Sequence, residues 1–142
     1  MEIQFSLKMR LGWENASECM VLVELLNALR LSRIALHART GKQQYKGHPD
    51  LEAFQGFYEL CQHPLYYNGD IESLSDIRQI LTRFPLLKGV FIGRGLLSSP
   101  LLAKEFKGNE TFLPEQRMSI YFAFHEELFS AYSQVLQGEG HS

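Results

Sequence analysis

Four short stretches carry the side chains that could act on a ligand, and each falls where an apolar run gives way to a polar loop: Lys8, His37 with Arg39, Asn68-Gly69-Asp70, and Gly93-Arg94. Gly93 lets the backbone approach an anion closely. Arg94 offers forked donors that match phosphate, and a helix amino terminus would add amide groups and a favourable dipole. A lysine beside a ring that takes up negative charge stabilises that charge, and His37 could hydrogen-bond such a ligand. Taken singly, each has a plain structural reading: a solvated strand-end lysine, a core histidine satisfied by backbone, an ordinary Asn-Gly turn, an arginine paired with a carboxylate. Their joint placement at successive carboxyl edges of strands carries the weight, because structural residues have no reason to select that edge each time.

The elements that must position them follow from apolar spacing. Residues 3–9 read as a strand that ends near Lys8, followed by the loop Arg10-Leu11-Gly12-Trp13. Asn15 with Glu18 forms a capping box for a helix in which Cys19, Leu22, Val23, Leu26 and Leu29 recur at helical spacing. A turn at residues 30–33 leads to the strand Ile34 to His37, too short and apolar for an alternating surface strand and suited to a buried parallel one. Asp50 caps a helix with Leu51, Phe54, Phe57, Tyr58 and Cys61 on one face. Pro64 opens the strand Leu65 to Tyr67. Ser73 with Asp76 starts a helix with Ile77, Ile80 and Leu81 inward, and Pro85 closes it. The strand Gly89 to Ile92 runs into Gly93-Arg94-Gly95, and Ser99-Pro100 begins a short helix. After a polar connector, Pro114 starts a long helix with a broad stripe of Met118, Tyr121, Phe122, His125, Leu128, Phe129, Tyr132 and Leu136. Four strand–helix units without a hairpin signal predict an α/β fold with a parallel sheet and right-handed crossovers.

The chain has 142 residues, whereas a complete eightfold barrel needs roughly 200 or more. Four units are therefore half a TIM (β/α)8 barrel. A net charge of −2 excludes a uniformly basic nucleic-acid binder, although residues 1–47 hold seven Lys/Arg against four Asp/Glu. The two cysteines have neither metal-ligand nor CxxC spacing and read as buried helix thiols, so no metal site is expected. No apolar run reaches the ~18 residues of a membrane span, and no secretory signal precedes the first strand. A cytoplasmic protein is the expectation.

The motifs together resemble one family. Lys8-Met9-Arg10-Leu11-Gly12-Trp13, then His37-x-Arg39-Thr40-x-x-Gln43-x-Tyr45-x-Gly47, then Asn68-Gly69-Asp70-Ile71 and Ile92-Gly93-Arg94-Gly95 are similar to the tRNA-dihydrouridine synthases in order, spacing and position. The resemblance implies an FMN enzyme that uses NADPH to reduce uridine in tRNA to 5,6-dihydrouridine. It covers residues 1–106 as the carboxyl-terminal half of the FMN-binding barrel, and residues 107–142 as the incomplete start of a helical tRNA-binding domain. Carried over, Lys8 and His37 contact the flavin ring region, Asn68, Gly69 and Asp70 the flavin's chain, and Gly93 with Arg94 its phosphate. Arg39 and Tyr45 are expected at the mouth of the site, on the substrate side.

The departures matter as much. The family's proline–methionine flavin contact, its glutamine, and its catalytic cysteine in an Asn-x-Gly-Cys-Pro context do not occur in this sequence, and Cys19 and Cys61 sit at the wrong places to replace that acid. The chain is expected to be inactive alone. Two other readings stay open: another FMN-dependent barrel oxidoreductase, such as a dihydroorotate dehydrogenase, or a non-catalytic half-barrel interaction module. Half a barrel also leaves two strand edges unpaired. Phe5, Leu7, Leu36, Tyr66 and Phe91 are expected on its open interior face. The chain should therefore self-associate or require a complementary amino-terminal half.

Overall fold

Strand order in space follows strand order in sequence. In the computed structural model, which describes residues 3–133 and 135, β1 (Phe5–Gly12), β2 (Leu31–Thr40), β3 (Leu65–Asn68) and β4 (Gly89–Phe91) form one sheet in the order β1-β2-β3-β4, every neighbour parallel. Parallel neighbours need crossovers. These are supplied by α1 (Glu18–Ala28), α2 (Leu51–Leu60) and α3 (Leu74–Arg83), and α4 (Arg94–Ser98), α5 (Leu102–Gly108) and α6 (Pro114–Ser133) follow. This is the α/β arrangement of a partial TIM barrel with a long last helix.

Local chemistry fixes the helix starts. Asp50 accepts a hydrogen bond from the Ala53 amide at 2.9 Å, and Ser73 and Asp76 form a reciprocal capping box at 3.1 and 2.8 Å. At α1 the box is only half present: the Glu18 carboxylate accepts from the amides of Trp13, Glu14 and Asn15, while Ser17 takes the cap position without a side-chain bond. Those amides hold the Glu18 carboxyl below its usual range, the Trp13 amide foremost.

The core lies between the sheet and α1–α3. Cys19, Val23 and Leu26 of α1, Phe54 and Phe57 of α2, and Ile77 and Ile80 of α3 are buried against the strand residues Ile34, Leu36, Leu65 and Tyr67. Phe54 stands edge-on to both Tyr67 and Phe84, with ring centroids 5.0 Å apart in each case. Leu22 and Leu29, expected inward on α1, are exposed, because an 11-residue helix beside one neighbouring helix covers only a narrow stripe. Cys61 lies one residue past α2 and is half-buried, rather than on the helix face.

Register corrects the expected interior. Leu7 pairs with Ile34, and Met9 with Leu36 and then Tyr67, so these rows face the helices. Leu36 is a core residue, not an interior one, and Phe5 is exposed at the start of the edge strand. The opposite face carries two rows across the sheet, Lys8-Ala35-Tyr66-Gly89 and Arg10-His37-Asn68-Phe91. Of the five residues expected there, only Tyr66 and Phe91 belong to it. The open face is polar rather than apolar.

The chain divides into two compact units, Met1–Ser99 and Pro100–Ser142. In the second, Arg117 of α6 pairs with the buried Glu105 of α5. The described part of α6 buries none of its side chains: Met118, Phe122, Phe124, Leu128, Phe129 and Tyr132 are all exposed. Leu136, assigned to the same stripe from the sequence, lies outside the described residues. Among the described residues no helix is long and apolar enough to cross a membrane.

Candidate functional site

At the carboxyl ends of the four strands a cavity of about 290 Å³ opens, formed entirely within the first unit. Two rows of the polar face reach it: Lys8 and Arg10 from β1, His37 from β2, Asn68 from β3, with Gly69, Asp70 and Gly93 from the turns that follow, Arg94 from the first residue of α4 and Tyr45 from the β2–α2 loop. Arg10, His37, Asn68 and Phe91 are register partners, so one line of adjacent strand positions supplies the floor.

The rim is built by hydrogen bonds between loops. Gly41 N–H donates to the Gly12 carbonyl at 2.7 Å and Lys42 N–H to the Trp13 carbonyl at 2.9 Å. A side chain at Gly41 would strike the Trp13 ring, its Cβ falling 2.2 Å from ring carbon. Gln43 Nε2 donates to the carbonyls of Lys46 and His48 at 2.8 and 2.9 Å, fixing the turn that presents Tyr45. Asn68 Nδ2 donates to the Phe91 carbonyl at 2.8 Å, tying β3 to β4. Gly95 is required by contact alone: its Cβ would lie 1.9 Å from the Ile71 carbonyl oxygen.

Electrostatically the cavity favours anions. Lys8, Arg10 and Arg94 face it, and burial followed by the charges of Arg10, Arg39 and Lys8 pushes the His37 imidazole down to about 4, so it is neutral at pH 7. Two carboxylates, Asp70 and Glu72, also line the cavity, and Asp70 is already engaged. Arg39 Nη1 donates to its Oδ1 at 2.7 Å, Arg39 Nη2 to its Oδ2, and Arg94 Nη2 reaches Oδ1 at 3.3 Å. The Arg39 hydrogen bonds hold the Asp70 carboxyl below the usual carboxylate range. Asp70 itself adopts φ 29°, a left-handed conformation that aspartate tolerates better than most residues.

Arg39 is not at the mouth where the sequence placed it. Its side chain is 1% exposed and lies outside the cavity lining. β2 runs on to Thr40, three residues beyond the expected end, which carries Arg39 inside the fold. Arg94 also differs from expectation: it opens the short helix α4 instead of lying in a loop. Tyr45 is exposed at the rim, with the Arg94 guanidinium 4.2 Å and the Arg10 guanidinium 5.9 Å from its ring centroid.

A family model described as "Dihydrouridine synthase (Dus)" matches residues 1–141. The chain belongs to the dihydrouridine synthase family. It is similar to a probable tRNA-dihydrouridine synthase of Rhizobium leguminosarum bv. phaseoli, 36% identical over 70% of this chain and 31% of that protein. A probable tRNA-dihydrouridine synthase of Aquifex aeolicus (strain VF5) is 36% identical over 74% of this chain and 33% of its own length. The tRNA-dihydrouridine(16) synthase of Escherichia coli (strain K12) is 28% identical over 77% and 35%. The chain thus spans about a third of the length of these curated relatives.

Within this dihydrouridine synthase domain the residue that sequence reasoning missed is Arg10. Its Nη1 donates to the carbonyls of Thr40 and Gln44 at 2.7 and 3.2 Å, and it lines the cavity beside His37. The signal available was alternation: Lys8 and Arg10 share a face if the strand continues to Gly12. Neither Cys19 nor Cys61 lines the cavity.

Proposed function

We propose that this chain supplies the FMN-gripping part of a tRNA-dihydrouridine synthase, which reduces uridine in tRNA to 5,6-dihydrouridine with NADPH as the reductant. The observation that carries the reading is the convergence of Lys8, His37, Asn68 and Arg94, from four successive strand ends, on one cavity. The donor set fits the cofactor. Arg94 and Gly93, whose would-be Cβ meets no atom within 4 Å, suit the phosphate. Asn68, Gly69 and Asp70 follow along the chain of the ligand, and Lys8 and His37 lie toward its ring. The cavity is at the small end of the ~300–1,000 Å³ typical of ligand pockets, in keeping with a site completed by further barrel strands.

Bound FMN supplies a two-electron carrier. Lys8 would stabilise negative charge placed on the ring, and His37, neutral at pH 7, would hydrogen-bond without adding charge. Tyr45 stands on the substrate side. Neither Cys19 nor Cys61 lines the cavity to act as the acid for the uracil carbon, so in this reading the isolated chain is inactive. Residues 1–106 serve as the flavin part and residues 107–142 as the beginning of a tRNA-binding helical domain, in a cytoplasmic enzyme. The second edges of β1 and β4 call for additional strands, either from a complementary half or from another copy, so sedimentation of the chain at micromolar concentration should show association.

Mapping dihydrouridine in tRNA tests the activity. Deleting the gene should remove one modified position, restored by the wild-type gene and not by a Lys8→Ala version; an unchanged map contradicts the reading.

A further inference from the structure

Arg39 is the largest fully buried side chain in the protein's described part, and it does not itself line the cavity. Burying a guanidinium is costly unless it is paired and hydrogen-bonded. Its two terminal nitrogens are: they grip both oxygens of Asp70, and Nη2 also donates to the Gly47 carbonyl at 2.7 Å. Its buried Nε has no hydrogen-bond partner among the described residues. Gly47, at φ 62°, ends the turn that presents Tyr45. Asp70 and Tyr45 are the two groups that hold Arg94, one at 3.3 Å through Oδ1 and the other 4.2 Å beneath the guanidinium. Arg94 is otherwise exposed, with 59% of its side chain open to solvent.

We infer that Arg39 is a positioning residue for Arg94: from beneath the cavity it clamps both the carboxylate and the loop between which the Arg94 guanidinium is set. The clamp has a second effect. Because Arg39 takes both Asp70 oxygens, Arg94 is left with a shared, longer contact. It is oriented yet free to give its forked donors to an anion. Without Arg39, Asp70 and the Tyr45 loop would lose the contact that fixes both, and the Arg94 guanidinium would be left unheld. Lysine cannot substitute, since a single ammonium cannot bridge two carboxylate oxygens and the Gly47 carbonyl in one plane.

The role of Arg94 toward an anion rests on the flavin reading, so the test has an arm that does not. In the ligand-free chain, the side-chain 15N heteronuclear NOE of Arg94 Nε reports its order directly. Arg39→Lys and Asp70→Asn should each lower it while the backbone amide spectrum keeps its dispersion; an unchanged NOE in a folded variant overturns the inference. Should Arg39→Lys fail to fold, the partly exposed Asp70→Asn decides alone by the same criterion. In the second arm, FMN and riboflavin are titrated separately. Loss of orientation at a charged hydrogen bond predicts about tenfold weaker FMN binding in Arg39→Lys, no change for riboflavin, and no further loss in an Arg94→Ala background. Equal losses for both flavins overturn the inference. Wild-type protein that binds neither flavin refutes the cofactor assignment instead, with the NOE arm still judging the clamp.

Discussion

The Arg94 guanidinium lies 4.2 Å over the Tyr45 ring, so the cation best shaped for phosphate is held by an aromatic face and one carboxylate oxygen rather than by a closed ion pair. A cation–π contact at an exposed site contributes about 0.5–1 kcal/mol. Tyr45→Leu should therefore weaken FMN binding about two- to fivefold, while Tyr45→Phe, which keeps the ring, should bind nearly as the wild type does. Flavin fluorescence titrations of the three proteins check this; equal affinities for Leu and Phe would show that the ring does not orient Arg94.

His37 should make stability pH-dependent in a defined window. Its folded value, about 4, lies below the ordinary 6.5, so between those limits the unfolded chain binds the extra proton. Stability is then fully present above pH 6.5 and falls as pH drops toward 4, by at most about 3.5 kcal/mol at ~1.4 kcal/mol per pKa unit. Asp70, whose value is also depressed, acts in a lower window, losing its contribution as pH falls below the ordinary carboxylate range. Urea midpoints at pH 7 and pH 5 should differ clearly in the wild type and much less in His37→Asn.

Gly95→Ala tests the close approach at the base of α4. With its Cβ 1.9 Å from the Ile71 carbonyl oxygen, the backbone must move. Overpacking of this kind costs about 1–3 kcal/mol, and here it would also displace the neighbouring Arg94. A lowered unfolding midpoint together with weaker FMN binding is expected; a variant indistinguishable in both would contradict the geometry.

Phe54→Ala tests the core that supports the strand ends. The ring is fully buried between Tyr67 and Phe84, and removing such a ring costs about 3–5 kcal/mol. That is a large part of the ~5–15 kcal/mol that stabilises a domain. Chemical denaturation should show the loss, and a change under 1 kcal/mol would mean that α2 does not pack as described.

Much of this architecture is legible in the sequence because it is encoded locally. Ser73 with Asp76, Asp50 and Pro64 mark element starts through bonds to their own neighbours, and the apolar runs of the strands need no distant partner to be recognised. Strand ends were harder to read. Arg10 and Arg39 are charged, so each looks like the start of a loop, yet both belong to strands whose pairing, Gly12 with Thr40, is visible only across 28 residues. Burial of Arg39 was the least legible feature. Charged residues are almost never fully buried unless paired, and its partner Asp70 is 31 residues away. The face assignment of Leu36 likewise depended on register, which a run of consecutive apolar residues does not reveal.

The most direct test of the account is calorimetric titration of FMN into the wild-type chain and Arg94→Ala. Losing a forked, charge-assisted phosphate contact of ~1.5–3 kcal/mol predicts measurable wild-type binding that becomes about ten- to hundredfold weaker in the variant. Identical isotherms for the two proteins, or no FMN binding by the wild type, would contradict a flavin grip at this cavity.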